Sequence, residues 1–211
     1  MKFRFDSPAA IFVLVGIPFL IAGAVVGLFV PRAFSNQRAE VAELTPLTLD
    51  ELRETAVGER VLIEGTISPD TAEQAVGLVA YNLYRSGENS DGEDTLELAD
   101  SVTPPLTLQV PNGLVRIGND SYDIRAIAQT ANEDNLHYSG FGRRDALFVV
   151  GTLTAVDEIP LLNAEFVSAG TQADFVAEQN LFIGGWWLFA CVFAVIGLGL
   201  LGTAVFLALR Q

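Results

Sequence analysis

Apolar and polar positions keep two different rhythms along this chain. At its two ends there is no alternation. Ala9 to Val30 is a run of 22 residues without a charge, and Leu181 to Leu209 is a second uncharged run. A helix of that first length reaches roughly 33 Å, enough to cross a hydrocarbon core about 30 Å thick. Both runs therefore predict transmembrane helices. The first exceeds the apolar region of a signal peptide, about 7–15 residues, and is followed by Pro31-Arg32-Ala33-Phe34 rather than a small-x-small cleavage site. It reads as an uncleaved anchor. Trp186-Trp187 marks the entry of the second span, since indole rings favour the interface.

Between the runs the apolar residues recur with period two, the spacing of half-buried strands. Val61, Ile63 and Ile67 begin the pattern, followed by Val79, Tyr81 and Leu83 and by Leu106, Leu108 and Val110. Leu114 to Ile117, Tyr122 to Ala126, Leu147 to Leu153 and Leu161 to Val167 continue it. Asn112-Gly113 predicts a type I′ hairpin turn. Thr48 with Glu51 predicts a capping box and a short helix to about Thr55. Thr171 with Asp174 caps a last helix that leads into the second span, with a kink expected at Gly184-Gly185. Seven or eight short strands with no long helix among them predict a small OB-like barrel or a sandwich. Gly65 and Gly151, each inside a strand pattern, mark bulges or barrel corners.

The fold class expected is thus a membrane protein in which two transmembrane helices flank a mainly-β domain. Its parts are a tail (1–8), a span (9–30), a juxtamembrane linker (31–47), the β domain (48–170), a connecting helix (171–180), a span (181–209) and a tail (210–211).

Charge adds an orientation. The chain has 12 basic and 26 acidic residues, net −14, which argues against nucleic acid as a partner because phosphate binding needs Lys and Arg. Lys2, Arg4 and Arg210 flank the spans at the tails; on the loop side Arg32 and Arg38 follow the first span and no Lys or Arg lies between Ile159 and Asn180, a small bias. The bias places both termini in the cytoplasm and residues 31–180 outside. That segment has 9 Arg against 25 acids, net −16. Such acidity keeps a domain soluble beside an anionic bilayer, and it equally fits a salt-adapted organism.

Few constellations carry chemistry. One Cys, Cys191, excludes an intrachain disulfide and a Cys-rich zinc site. Gly197 to Gly202 matches G-x-G-x-x-G, but it lies inside an apolar run rather than between a strand and a helix. The acidic run Glu88 to Asp94 fails the EF-hand spacing and reads as a solvated hairpin tip. Asn119-Asp120-Ser121 has the form of a glycosylation acceptor. Gly23 and Gly27 form a GxxxG, and Ala190 and Ala194 a second small-residue face, so these four are candidate helix-packing residues. His137, the only His, begins a stretch with Tyr138, Arg143 and Arg144 that could hold an anion or a lipid headgroup; it reads as a loop before a strand. No catalytic, cofactor-binding or metal-ligating residue is assigned.

The layout resembles a known family. Gly58 to Ile67 opens the domain after a short helix. Tyr81-Asn82-Leu83-Tyr84 follows, then Pro105-Leu106-Thr107-Leu108 before the Asn-Gly turn, and Phe148 to Leu153 before a last strand and helix. Over about residues 48–205 this is similar to the GIDE-type, beside-a-membrane domain of mitochondrial membrane-anchored ubiquitin ligases and its prokaryotic relatives. The resemblance implies a membrane-proximal sensing or scaffolding domain in a prokaryotic plasma membrane. The ligases' RING needs about eight Cys and His ligands; one of each is present, so ligase activity is not implied. The sequence therefore predicts a non-enzymatic membrane-anchored binding or scaffolding protein that engages a membrane-protein partner, itself, a lipid or an envelope ligand. The alternative is an accessory subunit of a larger membrane complex, such as an electron-transfer assembly.

Overall fold

A computed structural model describes residues 8–88 and 94–209. Lys2, Arg4 and Arg210, which carry the orientation argument, lie outside the described residues, as does the middle of the acidic run. The described elements are the helices α1 (Pro8–Ala42), α2 (Leu49–Glu54) and α3 (Gln172–Leu209), and ten strands. The strands are β1 (Arg60–Ile67), β2 (Leu78–Glu88), β3 (Asp94–Val102), β4 (Leu106–Val110), β5 (Gly113–Ile117), β6 (Asp123–Ile124), β7 (Gln129–Glu133), β8 (Leu136–Gly142), β9 (Ala146–Ala155) and β10 (Leu161–Ala169). The chain divides into two compact units, one of Val41–Phe175 and one formed by the residues on either side.

In the Val41–Phe175 unit five strands close into a barrel, in the order β1-β4-β5-β10-β9 and back to β1. Of the two architectures expected, the barrel is the one formed. Neighbours are antiparallel except at the closure, where β5 and β10 run parallel with Leu161 opposite Arg116 and Leu162 opposite Ile117. The remaining long strands make a second sheet, β3-β2-β8-β7.

Alternation explains the core. Val61, Ile63, Val115, Leu153 and Leu162 point inward at one end, where Leu49 and Leu52 of α2 plug the barrel. Ile67, Leu106, Leu108, Ile117, Leu147, Val149 and Val167 fill the other end, with Val79, Ala80 and Phe141 of the second sheet. α2 begins at the capping box expected for it: Thr48 N–H donates to Glu51 Oε2 at 2.8 Å, and Thr48 Oγ1 accepts from Glu51 N–H at 3.4 Å. Leu62, Phe148, Val150 and Phe166 face outward yet are also buried. The Phe148 ring meets Phe166 and Phe175 edge-on at 5.9 and 5.4 Å. β9 is therefore apolar on both faces, as its unbroken Leu147 to Val150 run requires. Gly151 stands opposite Ala164, where β10 bulges. A Cβ there would meet the Asn163 carbonyl oxygen and lie 2.8 Å from Ala164 Cα.

Closure extends beyond the two paired residues. Asn119 Oδ1 accepts from Ala164 N–H at 2.8 Å, and its amide donates to Ala164 O and Ser121 O, each at 2.9 Å. The side chain thus stands in for a strand partner between β5 and β6, which pairs parallel with β10 at Phe166 and Val167. Away from this seam, Gln172 ties the start of α3 to β1 and to the chain before α2: its N–H donates to Glu64 Oε1 at 2.7 Å, and its side-chain amide donates to Val41 O and Leu44 O at 2.6 Å.

Several expectations change. The β4–β5 turn is Pro111-Asn112, with Gly113 already paired to Val110. Asn112 alone has positive φ, 71°. Proline at the first central position cannot take positive φ, so the turn has the pattern of type II rather than I′. β3, β7 and β8 were not expected as strands: acids, Asn and Gly mask their alternation, and cross-strand pairing supplies what propensity does not. The linker expected over 31–47 is helical as far as Ala42, since Ala and the polar residues Arg, Gln and Glu are all good helix formers. α3 continues unbroken through Gly184-Gly185, so the connecting helix and the apolar run are one helix. Among the described residues α3 is the one helix long and apolar enough to cross a membrane, over Gln172–Leu207; α1 carries a shorter apolar stretch, Ile11–Val25.

The Asn119 tie is testable. Asn119→Ala leaves the Ala164 N–H and C=O without partners at the bulge, and should lower unfolding free energy by about 2–3 kcal/mol. Denaturant unfolding of the full chain in detergent measures it.

Candidate binding site

A pocket of about 450 Å³ opens on the outer face of the barrel, lined by residues of β4, β5 and the two loops beside them. The loop after β1 makes one wall. Ser68-Pro69-Asp70-Thr71 is a turn sequence with Pro at its second position. Thr71 N–H donates to Ser68 O at 3.1 Å, and Asp70 N–H donates to Ser68 Oγ at 3.3 Å. Arg143 pins this loop from behind, donating from Nε to Thr71 O at 2.9 Å and lying 3.9 Å from Glu73. Pro105 and Thr107 lead in from β4, Leu114 and Arg116 from β5, and Ile159 from the β9–β10 loop. That last loop is held by the closure, through Arg116 N–H donating to Pro160 O at 2.9 Å. Tyr122 fixes the entry to β4: its hydroxyl donates to Pro104 O at 2.8 Å.

The lining is chemically mixed. Arg116 and Asp70 are both exposed, and neither side chain forms an ion pair or hydrogen bond among the described residues. Thr71 Oγ1 is buried without a hydrogen-bond partner. Ser68 and Thr107 add hydroxyls; Pro105, Leu114 and Ile159 add apolar surface. Sequence reasoning missed this group because its members are far apart in the chain. The Ser-Pro-Asp turn and a lone Arg in the otherwise apolar run Leu114 to Ile117 were the available signals.

The residues singled out from sequence fall elsewhere. His137 and Tyr138 lie in β8, not in a loop, and Arg143 and Arg144 form the turn after it. His137 Nδ1 is 2.8 Å from Asn132 Oδ1, and Nε2 is 2.7 Å from Ser86 Oγ. An amide oxygen only accepts, so Nδ1 carries the hydrogen and Nε2 accepts from Ser86. The order matches a nucleophile, base and orienter. Ser86 N–H, however, is committed to Asn135 O at 3.0 Å, and Asn132 brings no charge. The trio works as a tie across β2, β8 and β7. Tyr138 is buried against Tyr81, ring centroids 5.3 Å apart. Arg143 is used in holding the pocket loop, and Arg144 takes φ 66° in the turn, donating its N–H to Ile67 O. Asn119, the glycosylation candidate, has its amide engaged in the barrel seam.

In the other unit α1 and α3 pack antiparallel through small residues. A Cβ on Gly23 would lie 3.1 Å from Ala190 O and 3.3 Å from Ala194 N; one on Gly27 would lie 3.1 Å from Ala190 Cβ. Farther along, Gly16 faces Gly197, so the first glycine of the G-x-G-x-x-G stretch serves helix contact. The rings of Phe19 and Phe193 meet beside the seam, tilted by 43° with centroids 5.6 Å apart. Among the described residues no group of three His, Cys, Asp or Glu is placed to hold a metal ion.

No family model matches the chain, and no curated protein matches it.

Burial pushes the Tyr122 phenol well above its ordinary value of 10. A raised folded value means that the unfolded chain ionises first, so the stability it contributes is present below about pH 10 and is lost as pH rises beyond it. Tyr122→Phe should cost about 1 kcal/mol at neutral pH through the lost bond to Pro104. It should also flatten the fall in melting temperature above pH 10. Some fall should remain, because burial and then Tyr138 and Asp100 raise Tyr81 as well. Thermal melts of both proteins across pH 8–11 check this.

Proposed function

We propose that this is a non-enzymatic, membrane-anchored binding or scaffolding protein of a prokaryotic plasma membrane. α1 and α3 both span the bilayer, the termini are cytoplasmic, and the barrel domain is outside. The observation that carries this reading is the exposed apolar surface of the helical unit. Leu14, Ile21, Leu181, Leu188, Val195, Leu198 and Leu209 are each between 58% and 82% exposed. Only 17% of the most apolar window of α3 is buried, at a mean hydropathy of 2.4. Such a surface is stable in lipid and not in water. Trp186 and Trp187 suit the interface. The barrel order first-second-third-fifth-fourth, closed by a parallel pair, supports an OB-like assignment and with it the GIDE-type resemblance. The pocket lies on the second and third barrel strands between two loops, the face through which OB barrels bind ligands, and we assign it the binding role.

One observation favours the second reading, an accessory subunit of a larger membrane complex. Gly23, Ala24, Gly27, Trp187, Ala190, Cys191 and Ala194 leave an apolar groove of about 430 Å³ along the helix pair, which small residues would open to a partner helix or a second copy.

A reporter active only outside the cytoplasm should work when inserted at Ser90 and fail when fused after Gln211; the opposite pattern overturns the topology. Replacing Gly23 and Gly27 together by Leu keeps α1 apolar but fills the seam. Membrane levels should stay normal while cross-linking between α1 and the Ala190–Ala194 face of α3 is lost. Unchanged cross-linking would make the glycines incidental.

A further inference from the structure

We infer that the barrel pocket binds a small zwitterion with an aliphatic body, of the kind presented by a short peptide with free ends. The inference rests on the binding role assigned to this pocket and names its ligand class.

The argument is one of charge compensation. Arg116 and Asp70 line the same cavity, and neither has an ionic partner among the described residues. Any ligand that fills the cavity takes water from both. Removing water from a charge is unfavourable unless an opposite charge replaces it. A neutral ligand repays neither group. A simple anion satisfies Arg116 and is repelled by Asp70, and a simple cation does the reverse. A polyanion also meets a chain of net charge −14. A molecule with one carboxylate and one ammonium repays both, and guanidinium to carboxylate is the stronger, two-pronged contact. The remaining lining fits the same class. Pro105, Leu114 and Ile159 offer an apolar floor for a side chain, with Ile159 43% exposed. The buried Thr71 hydroxyl lacks a partner and, with those of Ser68 and Thr107, can meet a peptide amide. The cavity of about 450 Å³ is in the size range of small-molecule sites.

The geometry of the wall makes Arg143 a positioning residue. It touches Thr71 O and Glu73 from outside the cavity and is not among the residues that line it.

The test uses the full chain in detergent micelles, titrated with the dipeptide alanyl-leucine and three altered forms: N-acetylated, C-amidated, and both. Calorimetry gives affinity, and amide NMR shifts at Thr71 and Arg116 report the place. The free dipeptide should bind at the pocket, and blocking either end should weaken it about tenfold or more. Arg116→Gln should weaken the free dipeptide similarly and become indifferent to amidation. Asp70→Asn should become indifferent to acetylation. That pattern of paired losses is a coupling that general destabilisation does not produce. Equal binding of the free and doubly blocked forms at the pocket overturns the zwitterion but leaves the pocket as a binding site. The absence of any shift at Thr71 and Arg116 with all four probes overturns both. Neither result bears on membrane topology, which the Ser90 reporter tests separately.

Discussion

The barrel depends on one short parallel seam. Antiparallel neighbours hold β5, β4, β1, β9 and β10 in a row, but a row is an open sheet with two raw edges. It becomes a barrel only because β5 meets β10 at Leu161 and Leu162. Two paired residues make a weak join, and the chain reinforces it with Asn119, whose amide copies the bonding of a strand residue at Ala164. β6 then covers the next stretch of β10. The same closure brings the β9–β10 loop beside Arg116, so the pocket exists only when the seam is shut. The inward side chains of both ends of the core are likewise sealed by it.

Much of this barrel was legible in the sequence. β4 and β5 alternate because one face of each fills the interior, β9 reads as a strand through its unbroken apolar run, and the capping box at Thr48 and Glu51 marks the short helix that plugs the barrel. What stayed hidden was of two kinds. Strands of the second sheet, such as β3 and β7, have mostly exposed side chains, so burial left no pattern to read; they exist through pairing with β2 and β8. Sites assembled across the chain were equally invisible. Asp70, Arg116 and Ile159 share a pocket through topology, not spacing. His137 drew notice as the only His, yet both its nitrogens are engaged in holding strands together. Arg143, a candidate for the ligand loop, holds the loop that walls the pocket.

The helical unit follows different physics. In the membrane setting proposed for it, lipid offers no hydrophobic gain for bringing two apolar helices together, so contact comes from close packing. Gly16, Gly23, Gly27 and Gly197 permit that approach, since a single added Cβ would press on the opposite backbone or side chains. In the proposed membrane setting the long exposed residues around them face lipid. That both runs are helical is legible in the sequence, because a long uncharged apolar run has few structural options.

Hydrogen exchange of the full chain is the most direct measure of barrel closure. The Arg116 and Gly118 N–H groups donate across the seam to Pro160 O and Leu162 O, each at 2.9 Å, and Ala164 N–H donates to Asn119. With the seam shut, these three amides exchange as slowly as those paired between β1 and β9. Exchange as fast as the outer edge of β3, unpaired among the described residues, would mean an open sheet and would contradict the account.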